Sequence, residues 1–137
     1  MNLGGERRMN AKQKILWAIC NVDRRWTDMY PLPFPCENVE EIYNELVEQD
    51  AHWDCKSEIR SSGIDTGLPT PYSRHYECEI VAMQFPDGSW VGWPYWHGGG
   101  KHSNPQDIEW IDDAFDLDCV EEEKVVIVRT FSKKGDE

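Results

Sequence analysis

Two tetrapeptides in this chain place a histidine three residues ahead of a cysteine. His52-Trp53-Asp54-Cys55 and His75-Tyr76-Glu77-Cys78 both read His-aromatic-acid-Cys. Two histidines and two cysteines make a complete tetrahedral zinc set. The expected local structure argues against that use. Residues three apart on a strand point to opposite faces, and no glycine turn separates the ligands within either pair. The alternative expectation is buried cysteine beside surface histidine, with no metal and no cofactor bound.

A second constellation surrounds Gly98-Gly99-Gly100, with His97 before it and Lys101, His102 and Ser103 after it. Backbone N–H groups of a glycine run ahead of a helix can cradle an anion. The P-loop spacing is absent, because Lys101 is followed by histidine. The carboxylates downstream also repel phosphate, so a solvent-exposed hinge is the preferred reading. Glu77 and Glu79 alternate on one strand face as a carboxylate pair. No Ser, Cys or Thr stands in a sequence context that marks it as a nucleophile.

The densest signal is aromatic. Residues 85–102 read FPDGSWVGWPYWHGGGKH and hold Trp90, Trp93, Tyr95 and Trp96. Strand alternation puts Trp90 and Trp96 on one face with Gly92 and Pro94. Val91, Trp93 and Tyr95 fall on the other. One face suffices to meet a core, which leaves aromatic surface for a partner, where Trp and Tyr are enriched. Downstream, residues 107–123 carry nine carboxylates and no base. On a helix, the six between Asp107 and Asp118 would space one charge per ~3 Å, close to the ~3.4 Å of a DNA strand. The contact residues expected from these patterns are Trp90, Trp93, Tyr95, Trp96, His97, Lys101, His102, Asp107, Asp112, Asp113 and Asp116.

The elements that must position these residues follow from periodicity and turn chemistry. Asn10 caps a helix over 10–22, with Ile15, Ile19, Val22 and Trp26 as its buried stripe. Three prolines within 31–35 force an extended link. A second helix spans 38–49, where Asn38 and Glu41 resemble a capping box. Residues 52–60 are ambiguous between a short strand and an irregular segment, and 61–73 reads as a loop. A strand over 75–85, a turn at Pro86-Asp87-Gly88-Ser89 and a strand over 90–95 form a hairpin, with Pro94 at an edge or at the strand end. Ser103 or Asn104 caps a third, acidic helix with Ile108, Ile111 and Phe115 on its inner side. Residues 124–131, with Val125-Val126-Ile127-Val128, suit a central strand buried on both faces. The expectation is an α+β fold: a small, mostly antiparallel sheet of three to four strands with about three helices. Residues 1–9 are read as a disordered tail, 10–131 as a single domain and 132–137 as a polar tail.

Composition narrows the function. The chain has 137 residues and a net charge of −12. Six bases against two acids give the first 25 residues +4, which leaves −16 on the rest. Direct nucleic-acid binding is disfavoured and a basic protein surface is favoured. No apolar run reaches the ~20 residues of a membrane span, and five scattered cysteines suit free thiols in a reducing, cytoplasmic compartment. Gly4-Gly5-Glu6-Arg7-Arg8 ahead of Met9 is the peptide that a purine-rich ribosome-binding sequence would encode, which suggests a bacterial or phage gene with its start at Met9.

The leading functional expectation is a small acidic protein-binding module. Its sharper form is a phage-type inhibitor that mimics nucleic acid on a partner's basic surface. A small enzyme or ligand-binding domain using residues 93–102 is the second class. A zinc module on His52, Cys55, His75 and Cys78 is the third. Oligomeric state is not readable from the sequence.

Overall fold

The computed structural model describes residues 9–101 and 104–135. Three helices come first: α1 (Ala11–Trp26), α2 (Val39–Glu48) and α3 (Trp53–Arg60). Four strands follow: β1 (Ile64–Asp65), β2 (Glu77–Gln84), β3 (Trp90–His97) and β4 (Phe115–Leu117). They form one antiparallel sheet in the order β1-β2-β3-β4. This is the small α+β architecture that the sequence pattern implies. Among the described residues, no helix is long and apolar enough to cross a membrane.

Helix α1 is the centre of the molecule. Asn10 accepts a hydrogen bond from the Gln13 backbone and the Gln13 side chain accepts one from the Asn10 backbone, closing a capping box. Ile15, Ile19 and Val22 are fully buried, as their spacing predicts, whereas Trp26 is half exposed. Met9, assigned from sequence to the end of the tail, is buried in the same core. The lysines at the start of α1, unfavourable for the helix dipole, each meet a carboxylate: Lys12 binds Asp112 at 2.6 Å and Lys14 lies 3.7 Å from Asp116. The Asp112 hydrogen bond raises the pKa of Lys12.

Helix α2 packs through Val39 and Leu46. Its expected capping box does not form, because the Asn38 side chain instead accepts a contact from the Cys36 thiol. The ambiguous segment 52–60 is helical. Cys55 and Ile59, four apart, face α1, and His52 is buried rather than on the surface. Cys20, Cys36 and Cys55 are buried, Cys78 is half-buried and Cys119 is exposed; all five are free thiols.

The hairpin forms with turn 86–89, and its strands run in register from Glu77 opposite His97 to Gln84 opposite Trp90. Pro94 is tolerated because β4 pairs only with residues 90–92, so the second half of β3 has a strand on one flank alone. The expected loop 61–73 contributes the short strand β1. Gly63 is required just before it: a Cβ there would stand 2.7 Å from Val81 and 3.0 Å from Trp93.

Two expectations fail. The acidic helix over 103–117 is absent among its described residues, which give a single 3-10 turn at Pro105–Asp107, an irregular stretch and β4. On a helix, Glu109 would face Asp113 and Asp112 would face Asp116, each a repulsive i, i+4 pair without a base between. Trp110, which that helix would turn away from its Ile108–Ile111–Phe115 stripe, is instead buried against Trp93. The second failure is the central strand over 124–131. Residues 124–131 form no strand or helix, and Val125 to Val128 are 73–99% exposed.

Candidate functional site

The sheet has two unlike faces. Residues opposite one another across the ladder share a face. Val81, Met83, Val91 and Trp93 therefore point toward the helices, while Cys78, Ile80, Ala82, Trp90, Gly92, Pro94 and Trp96 point away from them. β4 adds Phe115 and Leu117 to that second face, because Gly92 pairs with Phe115 and Trp90 with Leu117. Gly92 leaves room for them; a Cβ there would stand 2.7 Å from the Leu117 side chain.

Among the described residues, none of α1, α2 and α3 lies on this second face by the ladder's alternation; the segment after β1 folds across part of it beside Phe115 and Leu117. Thr66 donates through its backbone N–H and its hydroxyl to the Ile80 carbonyl, at 2.9 and 2.7 Å. The Thr66 hydroxyl then accepts from the Leu68 N–H at 3.2 Å. This holds Leu68, Pro69 and Pro71 along one side of a groove of about 560 Å³. Ile80 and Pro94 form its floor, Trp96 and Phe115 its far wall, and Asp113 its rim. Leu68 and Ile64 are exposed, and Trp96 and Phe115 half-buried. The groove is an apolar slot with a carboxylate at its edge, a shape suited to an apolar side chain beside a cation.

The candidate contact residues divide. Trp96 and Asp113 belong to this groove, and Trp90 lies at the hairpin end of the same face. Trp93 does not: it is fully buried, its ring centroid 5.4 Å from that of Trp110 and its indole N–H donating to the Arg60 carbonyl at 3.1 Å. Trp93 is core because its strand position faces α1. Tyr95 is half-buried beneath the Arg60 guanidinium, which lies 4.6 Å from the ring centroid. Arg60 also donates to the Trp96 carbonyl and so ties α3 to β3. Asp112 and Asp116 are engaged with Lys12 and Lys14, while Asp107 and Lys101 are exposed. His102 lies outside the described residues.

His97 stacks on Tyr95 and stands 3.5 Å from a Glu77 oxygen and 3.8 Å from a Glu79 oxygen. The two glutamates share a face as alternation requires, and they hold the imidazole beside a hollow of about 460 Å³ reaching Tyr72 and Tyr76. The glycine run has positive φ at all three residues, which suits a hinge. The zinc set is not assembled. His52 precedes α3 and Cys55 lies in it, His75 precedes β2 and Cys78 lies in it, and among the described residues no group of three or more His, Cys, Asp or Glu could hold a metal.

Sequence reasoning missed Phe115, Leu68 and Trp110. A signal for Leu68 was present: an apolar residue set between Gly67 and Pro69 in a long polar loop. Phe115 was assigned to a helix stripe, which hid its place on the open face. Comparison with protein-family models, with curated proteins and with solved structures finds no significant match to this chain.

Proposed function

We propose that this protein is a protein-binding module that docks through the helix-free face of its sheet. The observation that carries this reading is the groove between Leu68 and Trp96: apolar walls, a floor of Ile80 and Pro94, and Asp113 at the rim. Ile80 and Pro94 are buried beneath it, and the apolar surface it leaves open is that of Leu68 with part of Trp96 and Phe115; a partly open apolar slot rimmed by polar groups suits a contact site. A net charge of −12 supports a partner whose apolar anchor is surrounded by Lys or Arg. In its sharper form the partner surface is one that binds nucleic acid, and its occupation by this chain inhibits it, as a phage-type inhibitor would. The total charge favours that form. Regular charge spacing no longer does, because residues 107–118 form no helix.

The test is affinity capture from bacterial lysate with three baits: wild type, Trp96→Ala/Phe115→Ala, and Trp53→Ala as an exposed aromatic control outside the groove. A prey retained by wild type and Trp53→Ala and lost by the double variant supports the reading. A prey set identical for all three refutes it. A second reading, small-ligand binding at His97, is favoured by the Glu77–His97–Glu79 cluster beside its hollow. Chemical-shift changes at the His97 ring on adding a fragment library, absent in Glu77→Gln/Glu79→Gln, would support it.

A further inference from the structure

Residues 124–131 read Lys-Val-Val-Ile-Val-Arg-Thr-Phe, a run of strand-forming side chains. Val125, Val126, Ile127 and Val128 are 99%, 75%, 73% and 83% exposed, and Phe131 is 87% exposed. Among the described residues, no backbone hydrogen bond joins 118–134 to the rest of the molecule beyond the β4 ladder. Such a run has the composition of a strand without a partner, and exposed segments of this composition pair with whatever edge is open.

The body of the same chain offers an open edge. β4 is bonded to β3 on its inner side and closes the sheet order, so its outer side carries unpaired backbone groups. The link 118–123 forms no strand, and Asp118, Cys119 and Glu121 line a hollow beside the hairpin turn with Gly88 and Trp90. Charge indicates which chain supplies the missing strand. Lys124, Arg129, Lys133 and Lys134 give residues 124–134 a net +4, with no carboxylate among them. Asp118 and Glu121 follow β4 directly, on a chain that totals −12, while Asp116 faces Lys14 and Lys124 already lies 3.6 Å from Glu122. The arm is thus the basic, strand-forming complement of its own acidic edge.

We infer that two copies exchange these arms, a short stretch within residues 124–131 of each pairing with the three-residue β4 edge of the other. The exchange is isologous and closes as a two-fold dimer. One set of alternating side chains, Val125, Ile127 and Phe131, then extends one face of the sheet, and Val126 and Val128 extend the other. The groove between Leu68 and Trp96 adjoins this edge through Phe115, but the exchange uses backbone groups of β4 and not the groove, so the dimer does not depend on the docking reading.

Sedimentation equilibrium and hydrogen exchange on the full chain test this. The expected mass is twice 16.0 kDa, with some amides within 125–131 protected, since β4 has three residues to pair with. Ile127→Asp/Val128→Asp should weaken the dimer at least ~100-fold by burying charge at the new strand. It should leave the far-UV circular dichroism of the body intact, since both side chains are exposed in the single chain. Val126→Pro removes a strand donor and gives a second, uncharged disruption. Trp96→Ala should leave the dimer unchanged. A 16.0 kDa species at every concentration overturns the proposal, whether the arm amides exchange freely or are protected by folding back on their own sheet. A dimer indifferent to both arm variants overturns it as well.

Discussion

Replacing Trp93 and Trp96 separately by alanine distinguishes the buried face of the sheet from the open one. The two indoles lie three residues apart on β3 and differ only in which way they point. Trp93 is fully buried, and its removal opens a cavity under α1 that the neighbouring rings cannot fill. Truncation of a buried Trp costs about 3–5 kcal/mol. Within that total, loss of the Trp110 ring contact accounts for about 0.5–1.5 kcal/mol. The Arg60 carbonyl, left without its indole donor, accounts for about 1–3 kcal/mol more. A domain of this size holds about 5–15 kcal/mol in all, so Trp93→Ala should lower Tm by roughly 10–20 °C, at a few degrees per kcal/mol. Trp96 is half-buried on the open face and should cost about 1 kcal/mol. Urea unfolding followed by far-UV circular dichroism avoids the loss of fluorescence that either substitution brings. A Trp93/Trp110 double-mutant cycle should return a coupling of about 1 kcal/mol. Equal losses for Trp93→Ala and Trp96→Ala would refute the division of the sheet into a core face and a contact face.

Two further outcomes follow from buried groups. Lys14 keeps only a tenth of its side chain exposed and depends on Ser89 at 3.0 Å and Asp116 at 3.7 Å. Asp116→Asn should therefore cost about 1 kcal/mol by leaving that ammonium without its carboxylate, while Asp113→Asn at the groove rim should stay within about ±0.5 kcal/mol in the same urea titration. Burial pushes the Cys20 thiol up to about 12 and the Cys55 thiol up to about 11. In the unfolded chain both ionise near the ordinary thiol value, so the folded chain holds more protons above it. Stability should be complete below about pH 8.5 and fall as pH rises toward these raised values. Tm measured from pH 7 to 10.5 should show that decline, flattened in Cys20→Ala, and at pH 8 a thiol reagent should modify Cys119 first.

The elements legible from sequence are those whose local and tertiary signals agree. In α1, the Asn10 cap and the Ile15–Ile19–Val22 stripe specify the same helix, and in the hairpin the Asp87-Gly88 turn fixes a register that buries Val91 and Trp93 together. Residues 107–117 were misread because two periodicities coexist there. Ile108, Ile111 and Phe115 fit a helix, but Phe115 and Leu117 also fit a strand face, and like-charge repulsion together with burial of Trp110 decides for the latter. Nothing local to residues 52–60 could reveal α3, since its helicity depends on Cys55 and Ile59 meeting α1 across forty residues of chain.

The site was half legible for the same reason. Alternation assigned Trp90 and Trp96 to one face and Trp93 and Tyr95 to the other, but it could not say which face the helices would take. Once Val81, Val91 and Trp93 are committed to α1, the opposite face must carry the remaining apolar surface of the hairpin. Among the described residues, the Thr66-anchored segment and β4 cover part of it. Both are short, and β4 leaves an edge. A sheet with one helical layer, an apolar second face and an unpaired strand in its own sequence has two unsatisfied surfaces, and they make different demands. The edge needs backbone donors and acceptors, which residues 124–131 can supply with matching charge. The groove needs an apolar side chain beside a cation. The body of this chain holds few bases to offer there, with only Lys56, Arg60, Arg74 and Lys101 between residues 26 and 123. The edge and the groove therefore call for different complements, backbone groups in one case and an apolar side chain beside a cation in the other.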